Sequence, residues 1–493
     1  MTMLPRPLVA VLLVLGLTAC SSGPDYRRPE APASPAWKEG SGWRVAAPNE
    51  LAERGAWWAV LQDPELDQLL RQVEVSNQNL RAAEAAWRQA AAVLAGARAG
   101  YSPTVGADAG AKRTGIGAMS VTDATSRSGD AQTADRYVVE ATASWTPDLW
   151  GRIRRSVESG DAAVAASAAD LAGARLSAQA ALAVLYVQLR TDDEQQRLLQ
   201  LTVTASERAL AIARNQHAAG LVSRSDVLQA EAQLAGVRAQ IVALGVPRTQ
   251  AEHAIAVLIG QPPSALTIMP RQGGQGLPVL PEVPLLVPSA LLERRPDIAA
   301  AERRMAAANA QIGVAEAAYY PDLTISGAFG YAGAAAGSLI SAPNLLWSVG
   351  GELVGTLFDG GSRRAKADEA RALWDQSVAL YRQTVLTAFQ QVEDQLAAGR
   401  ILREQAVLQA QAQAAADDAE RVALNQYQAG ISTYTTVIVA QNTATANRIT
   451  VLQVESDRLI AAVSLIAALG GGWDPATISA VPAPHPPAAG AVR

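Results

Sequence analysis

The chain has one cysteine, three histidines and three phenylalanines among 493 residues. A single Cys excludes an internal disulfide and a Cys-His metal cluster. His217, His253 and His485 stand far apart in unrelated contexts and read as ordinary surface or packed residues. No Gly-rich phosphate loop is present and no nucleophile has a base beside it, so nothing points to an enzyme, a cofactor or a metal. A net charge of −5 leaves no footprint for nucleic acid. Proline is missing from Arg152 to Gln216 and from Ser362 to Gln428. Each stretch can therefore run as one helix of roughly 65 residues, about 95–100 Å at 1.5 Å per residue.

The N-terminus carries an address. Arg6 precedes an apolar run, Leu8 to Leu17, of ten residues. That is too short for a bilayer, which takes about 20, and residues 1–19 read as a secretory signal peptide. The run closes on Leu17-Thr18-Ala19-Cys20, so the only cysteine stands at the cleavage point of what resembles a bacterial lipobox. The resemblance implies that Cys20 becomes the first residue and is acylated. With Ser21 next, rather than Asp, it implies sorting to the outer membrane. Residues 20–62 form an arm beyond it, where Pro24, Pro29, Pro32 and Pro35 forbid a helix. Asp63 followed by Pro64 is a helix start.

Most of the remaining chain occurs twice. Asn215-Gln216-His217-Ala218-Ala219-Gly220 returns 210 positions later as Asn425-Gln426-Tyr427-Gln428-Ala429-Gly430. Tyr101-Ser102-Pro103 answers Tyr319-Tyr320-Pro321 at offset 218, and Asp148 answers Asp359 at offset 211. Two copies are too few for a solenoid and suit a duplicated unit completed by oligomerisation. Repeat 1 spans 63–260 and repeat 2 spans 296–470. A Pro/Gly-dense linker, 261–295, joins them, and residues 471–493 form a tail.

Each repeat reads in the same order. Residues 64–100 have helical spacing without internal proline, and Pro103 stops them. A β-hairpin comes next at about 104–146, with Thr104 to Lys112 and Tyr137 to Thr146 alternating by two. Its counterpart, about 323–358, has Leu323 to Tyr331 and Ser348 to Phe358. Strands of about 9–11 residues can cross a bilayer when tilted. Four strands cannot close a barrel, and an open edge is not tolerated in lipid. Three chains give twelve strands, an even number within the outer-membrane range. The long helices come after the hairpins. Leu182, Leu189, Val203 and Leu210, and likewise Val378, Val385 and Val392, keep a seven-residue register that implies coiled-coil packing. Tip turns at about 217–226 and 427–436 lead to return helices, Ser225 to Ile259 and Thr435 to Leu469. Pro247 is expected to kink or break the first of these.

Several motifs together resemble the TolC-like outer-membrane efflux factors, in their lipoprotein branch. They are Cys20 with Pro24-Asp25-Tyr26-Arg27-Arg28-Pro29, Asp63-Pro64-Glu65-Leu66, Asp148-Leu149-Trp150-Gly151-Arg152, Arg294-Arg295-Pro296-Asp297-Ile298, Ala317-Ala318-Tyr319-Tyr320-Pro321 and Ala467-Ala468-Leu469-Gly470-Gly471-Gly472-Trp473. The resemblance implies a mainly α fold with a β-barrel: a homotrimer with a twelve-stranded outer-membrane barrel, a twelve-helix periplasmic tunnel and a mixed equatorial domain. It implies passive export of drugs or other small molecules. A periplasmic adaptor and an inner-membrane RND-type pump would be the partners. Export of proteins by a type I secretion system, which uses the same fold, is the alternative.

The resemblance also places the working residues. Gly220, Leu221, Val222 and Ser223, with Gly430, Ile431, Ser432 and Thr433, fall where the adaptor docks. Asp226 matches the family's aspartate that ties adjacent coils closed, and Tyr427 matches a partner for it. Where many relatives carry carboxylates, six and nine residues after the second tip glycine, this chain has Thr436 and Val439. With Thr435 they imply an apolar constriction that gates by dewetting rather than by charge.

Overall fold

A computed structural model describes residues 22–32, 34–40, 43, 55–116, 132–271, 276–283, 288 and 294–473. The signal peptide, Cys20 and the C-terminal tail beyond 473 lie outside the described residues, as does most of the first hairpin loop. The chain divides into two compact units. One comprises Met1–Pro29, Arg88–Ala165 and Glu302–Ala379; the other comprises Glu30–Trp87, Ala166–Ala301 and Leu380–Arg493.

The first unit holds the sheet. Strands β1 (Thr104–Ile116), β2 (Gln132–Trp145), β3 (Asp322–Gly333) and β4 (Leu345–Val354) form an antiparallel meander in that order. The registers pair odd residues with odd and even with even across all three strand pairs. Side chains alternate along a strand, so odd-numbered residues share one face of the whole sheet. That face carries Val105, Val139, Phe329, Trp347, Val349 and Leu353, all exposed. The even face carries Thr104, Asp108, Lys112, Arg136, Glu140, Ser326 and Glu352 among small residues, with Val138, Leu346 and Val354 among its larger apolar side chains. Among the described residues no helix is long and apolar enough to cross a membrane.

β4 begins and ends earlier than the alternation predicts. Gly360 and Gly361 adopt left-handed φ of 63° and 95° and turn the chain away from the sheet. Leu357 and Phe358 therefore lie beyond the strand, 100% and 89% exposed. The two long helices start alike. Asp148 accepts from the N–H groups of Ile153 and Arg154 at 2.9 and 2.8 Å, opening α3 (Arg152–Ala218). Asp359 accepts from Gly361 and Arg363 at 3.0 and 3.1 Å, opening α6 (Ser362–Gln428). A carboxylate at a helix start satisfies orphan donors and favours the dipole. Beside this junction Trp150 stacks on Tyr320, with centroids 4.8 Å apart.

Residues 64–100 are not one helix. α1 (Pro64–Ser76) stops at Asn77, which caps α2 (Gln78–Ala99) by accepting from the N–H groups of Asn79 and Leu80. The Asn77 amide also donates to the Leu258 carbonyl at 2.7 Å. An Asx cap thus competes with the helix where no proline announces a break. α1 packs Leu66 and Leu70 against Leu182, Tyr186 and Leu189 of α3, and against Ile255 of α4 (Arg224–Leu258). Of the kink or break expected at Pro247, no break occurs, since α4 runs helical through it. Residues 243, 246 and 247 are exposed, so water can satisfy the carbonyl that proline leaves without a donor. The heptad residues Leu182, Leu189, Val203 and Leu210 are all buried. α5 (Pro296–Ala317) precedes β3, and α7 (Tyr434–Ala468) is the second return helix.

Candidate functional site

The two tip turns have the same backbone. Gly220 N–H donates to the His217 carbonyl and Leu221 N–H to that of Gln216, at 2.9 and 2.8 Å. Gly430 donates to Tyr427 and Ile431 to Gln426, at 3.0 and 2.8 Å. Both glycines have φ of 72°. This is a Schellman closure, in which the left-handed residue must have no Cβ to be free of strain. Each turn then presents one apolar side chain, Leu221 or Ile431, 75% and 77% exposed. Val222 and Ser432 are half-buried, and Ser223 and Thr433 are exposed N-caps.

The turns differ in how the return helices are capped. Ser223 and Asp226 form a capping box. The Asp226 carboxylate accepts from the Ser223 N–H and hydroxyl at 3.1 and 2.9 Å, and Asp226 N–H points to the Ser223 Oγ. Thr433 makes no side-chain cap, and its hydroxyl meets only that of Thr436 at 3.3 Å. The start of α4 is therefore better fastened than that of α7.

Asp226 and Tyr427 make no hydrogen bond within the chain, since the carboxylate is engaged by Ser223 and the Tyr427 hydroxyl has no partner among the described residues. They are neighbours nonetheless. Burial first, and then the Asp226 charge, push the Tyr427 hydroxyl above its ordinary range. Thr435 donates to Gln229 at 3.2 Å, and Val439 is 61% exposed.

Four residues that the sequence alone does not single out join this cluster: Tyr434, Gln229, Gln233 and Asn442. Tyr434 is buried against Tyr427, and burial pushes its hydroxyl up to about 12. Its counterpart in the first repeat is Arg224, so the repeat itself concealed it. Gln233 and Asn442 exchange amide hydrogen bonds at 2.6 and 3.4 Å. With Thr435–Gln229 they make a neutral ladder between α4 and α7. Within each helix pair there are ion pairs: Arg214–Glu231 and Arg238–Glu207 join α3 to α4, and Arg448–Glu420 joins α6 to α7, all at 2.7 Å. Among the described residues no group of three or more His, Cys, Asp or Glu side chains could hold a metal ion.

A family model described as outer membrane efflux protein matches residues 69–261 and 287–471. The pyoverdine export outer membrane protein OpmQ of Pseudomonas aeruginosa is 34% identical over 478 residues, covering 96% of this chain and 98% of its own length. Outer membrane protein OprJ of the same organism is 31% identical, with 94% and 95% covered. The solved structure of the outer-membrane channel OprN superposes with a TM-score of 0.83 at 31% identity, covering 92% of this chain and 100% of that one.

Proposed function

The chain belongs to the outer membrane efflux protein family, and from that we propose that three copies form a passive export channel, fed by an inner-membrane RND-type pump through a periplasmic adaptor. The observation that carries this reading is the two-faced sheet. Large exposed apolar side chains of all four strands, Val105, Val139, Phe329 and Trp347 among them, lie on the odd face, and six of the sheet's eight charged residues lie on the even face. β1 and β4 each keep an unpaired edge within the chain. Lipid tolerates no open edge, so four strands need partners, and three chains supply twelve. The apolar face then meets lipid and the polar face lines a water-filled passage.

In this reading Cys20 carries the lipid anchor. Its acyl chains add about 0.8 kcal/mol per buried CH₂, on top of the barrel's own insertion. Leu221 and Ile431, on their matched glycine turns, are the adaptor's contact points, together with Val222, Ser223, Ser432 and Thr433. The gate is the neutral layer of Thr435, Thr436 and Val439, with Asp226 and Tyr427 latching neighbouring chains. In this reading the channel is a conduit and the pump chooses the cargo.

Accumulation of drugs and dyes in a deletion strain and in its complemented twin tests this. Raised accumulation in the deletion, reversed by the gene, is expected. Loss of a secreted protein with unchanged accumulation would move the assignment to type I secretion.

A further inference from the structure

We propose that the ion selectivity of this channel is set inside the barrel, by two opposed belts of charge, Asp108 with Glu140 and Lys112 with Arg136. The inference rests on the proposed export channel, in which the even-numbered face of the sheet lines the passage.

The register places Asp108 directly across from Glu140 and Lys112 directly across from Arg136. All four belong to the polar face. Like charges directly opposite each other destabilise a strand pair. The sheet accepts this twice, although exchanging one acid for one base would turn both rows into ion pairs. Local rules are broken in this way where a site is in use. The neighbouring strands do not neutralise the acids. Glu140 faces Gly330 on β3, and Gly330 faces Leu346 on β4. A Cβ at Gly330 would lie 2.5 Å from the Glu140 Cα and 2.6 Å from its Cβ, so no larger residue could stand there without shifting the β2 backbone. Among the described residues Asp108 accepts a hydroxyl, from Thr142 at 3.3 Å. Beside the basic row, Arg113 and Asp135 pair with each other at 3.1 Å, but on the opposite face.

The belts are four residues apart along β1, about 13 Å at 3.3 Å per residue. That exceeds the Debye length of about 8 Å at physiological salt, so each belt presents its own field to a passing ion. In three chains each belt holds six charges, the arrangement by which rings of side chains select ions.

The test uses the purified full-length protein in planar bilayers under a KCl gradient. Asp108→Asn with Glu140→Gln should shift the reversal potential toward anions. Lys112→Gln with Arg136→Gln should shift it toward cations. Both shifts should shrink near 1 M salt, where the Debye length is about 3 Å. Shifts of the same sign in both variants, or none in either, would overturn the proposal. The single variants Asp108→Asn and Lys112→Gln decide the matter if a double variant fails to insert. If the wild-type protein forms no channel at all, the export reading fails and this inference with it. If it conducts and the belts are silent, only the inference fails.

Discussion

The rings of Tyr427 and Tyr434 meet with centroids 5.3 Å apart and planes tilted by 54°, and neither hydroxyl has a hydrogen-bond partner among the described residues. Both side chains are buried, at 3% and 1% exposure. The pair therefore holds by packing within a chain. Tyr434→Ala should cost about 3–5 kcal/mol, as aromatic truncations in cores do, whereas Tyr434→Phe should leave the melting temperature unchanged or slightly higher. Calorimetry on both variants checks this. A large loss in the Phe variant would show a partner for the hydroxyl in the assembled protein.

The proposed latch requires the Tyr427 hydroxyl, buried within its own chain, to turn toward Asp226 of a neighbouring chain. Tyr427→Phe should raise single-channel conductance, because a charge-assisted bond to a neighbouring Asp226 is worth about 1.5–3 kcal/mol. Unchanged conductance in planar bilayers would remove Tyr427 from the latch.

The asymmetry between the two tips has its own consequence. Asp226→Ala removes the capping box and should weaken the start of α4 by about 1 kcal/mol, with a higher open probability. Thr436→Asp should build the missing box on Thr433 and lower the open probability. The two variants should move the bilayer recordings in opposite directions, and movement in the same direction would separate gating from capping.

Much of this was legible in the residues. The alternation of Tyr137, Val139, Ala141, Ala143 and Trp145 marks a strand because the period of two leaves no other reading, and the recurrence of Asn-Gln-x-x-Ala-Gly marks both turns. The misses share a cause. Asn77 breaks a helix by a side-chain cap, which depends on whether its amide finds the Leu258 carbonyl 181 residues away. Pro247 fails to break one because its face is open to water. Gln229, Gln233 and Asn442 look like ordinary polar positions until α4 and α7 are brought together.

Asn77 should accordingly be costly to replace. Asn77→Ala loses the cap of α2 and leaves the Leu258 carbonyl without its donor, about 2 kcal/mol in all. Asn77→Asp keeps the cap and loses only the bond to Leu258, so it should fall between the wild type and Ala in thermal unfolding.

Asp192, on α3, gives a pH signature. Burial first, and then the adjacent Asp193 carboxylate, push its pKa up to about 6 from 3.8, with Arg248 opposing. The folded chain therefore binds a proton that the unfolded chain releases between roughly pH 4 and pH 6. Stability from this group falls as pH rises through that window and stays low above it. Asp192→Asn should raise the melting temperature at pH 8 and leave it unchanged at pH 4. An equal gain at both pH values would show that the carboxylate's charge is not the cause.

Closure of one barrel by three chains, edge to edge, is tested most directly by disulfide cross-linking between β1 and β4. Within a chain these strands are separated by two others, about 14 Å at 4.8 Å per strand, beyond the roughly 7 Å that a disulfide can span. A bond between them must therefore join two chains. Cysteines placed in pairs at Ala107, Ala109 or Ala111 and at Val349 or Gly351 should yield, in at least one pairing, a covalent species that stops at three chains on oxidation. Monomers in every pairing, or a ladder running past three, would contradict the account.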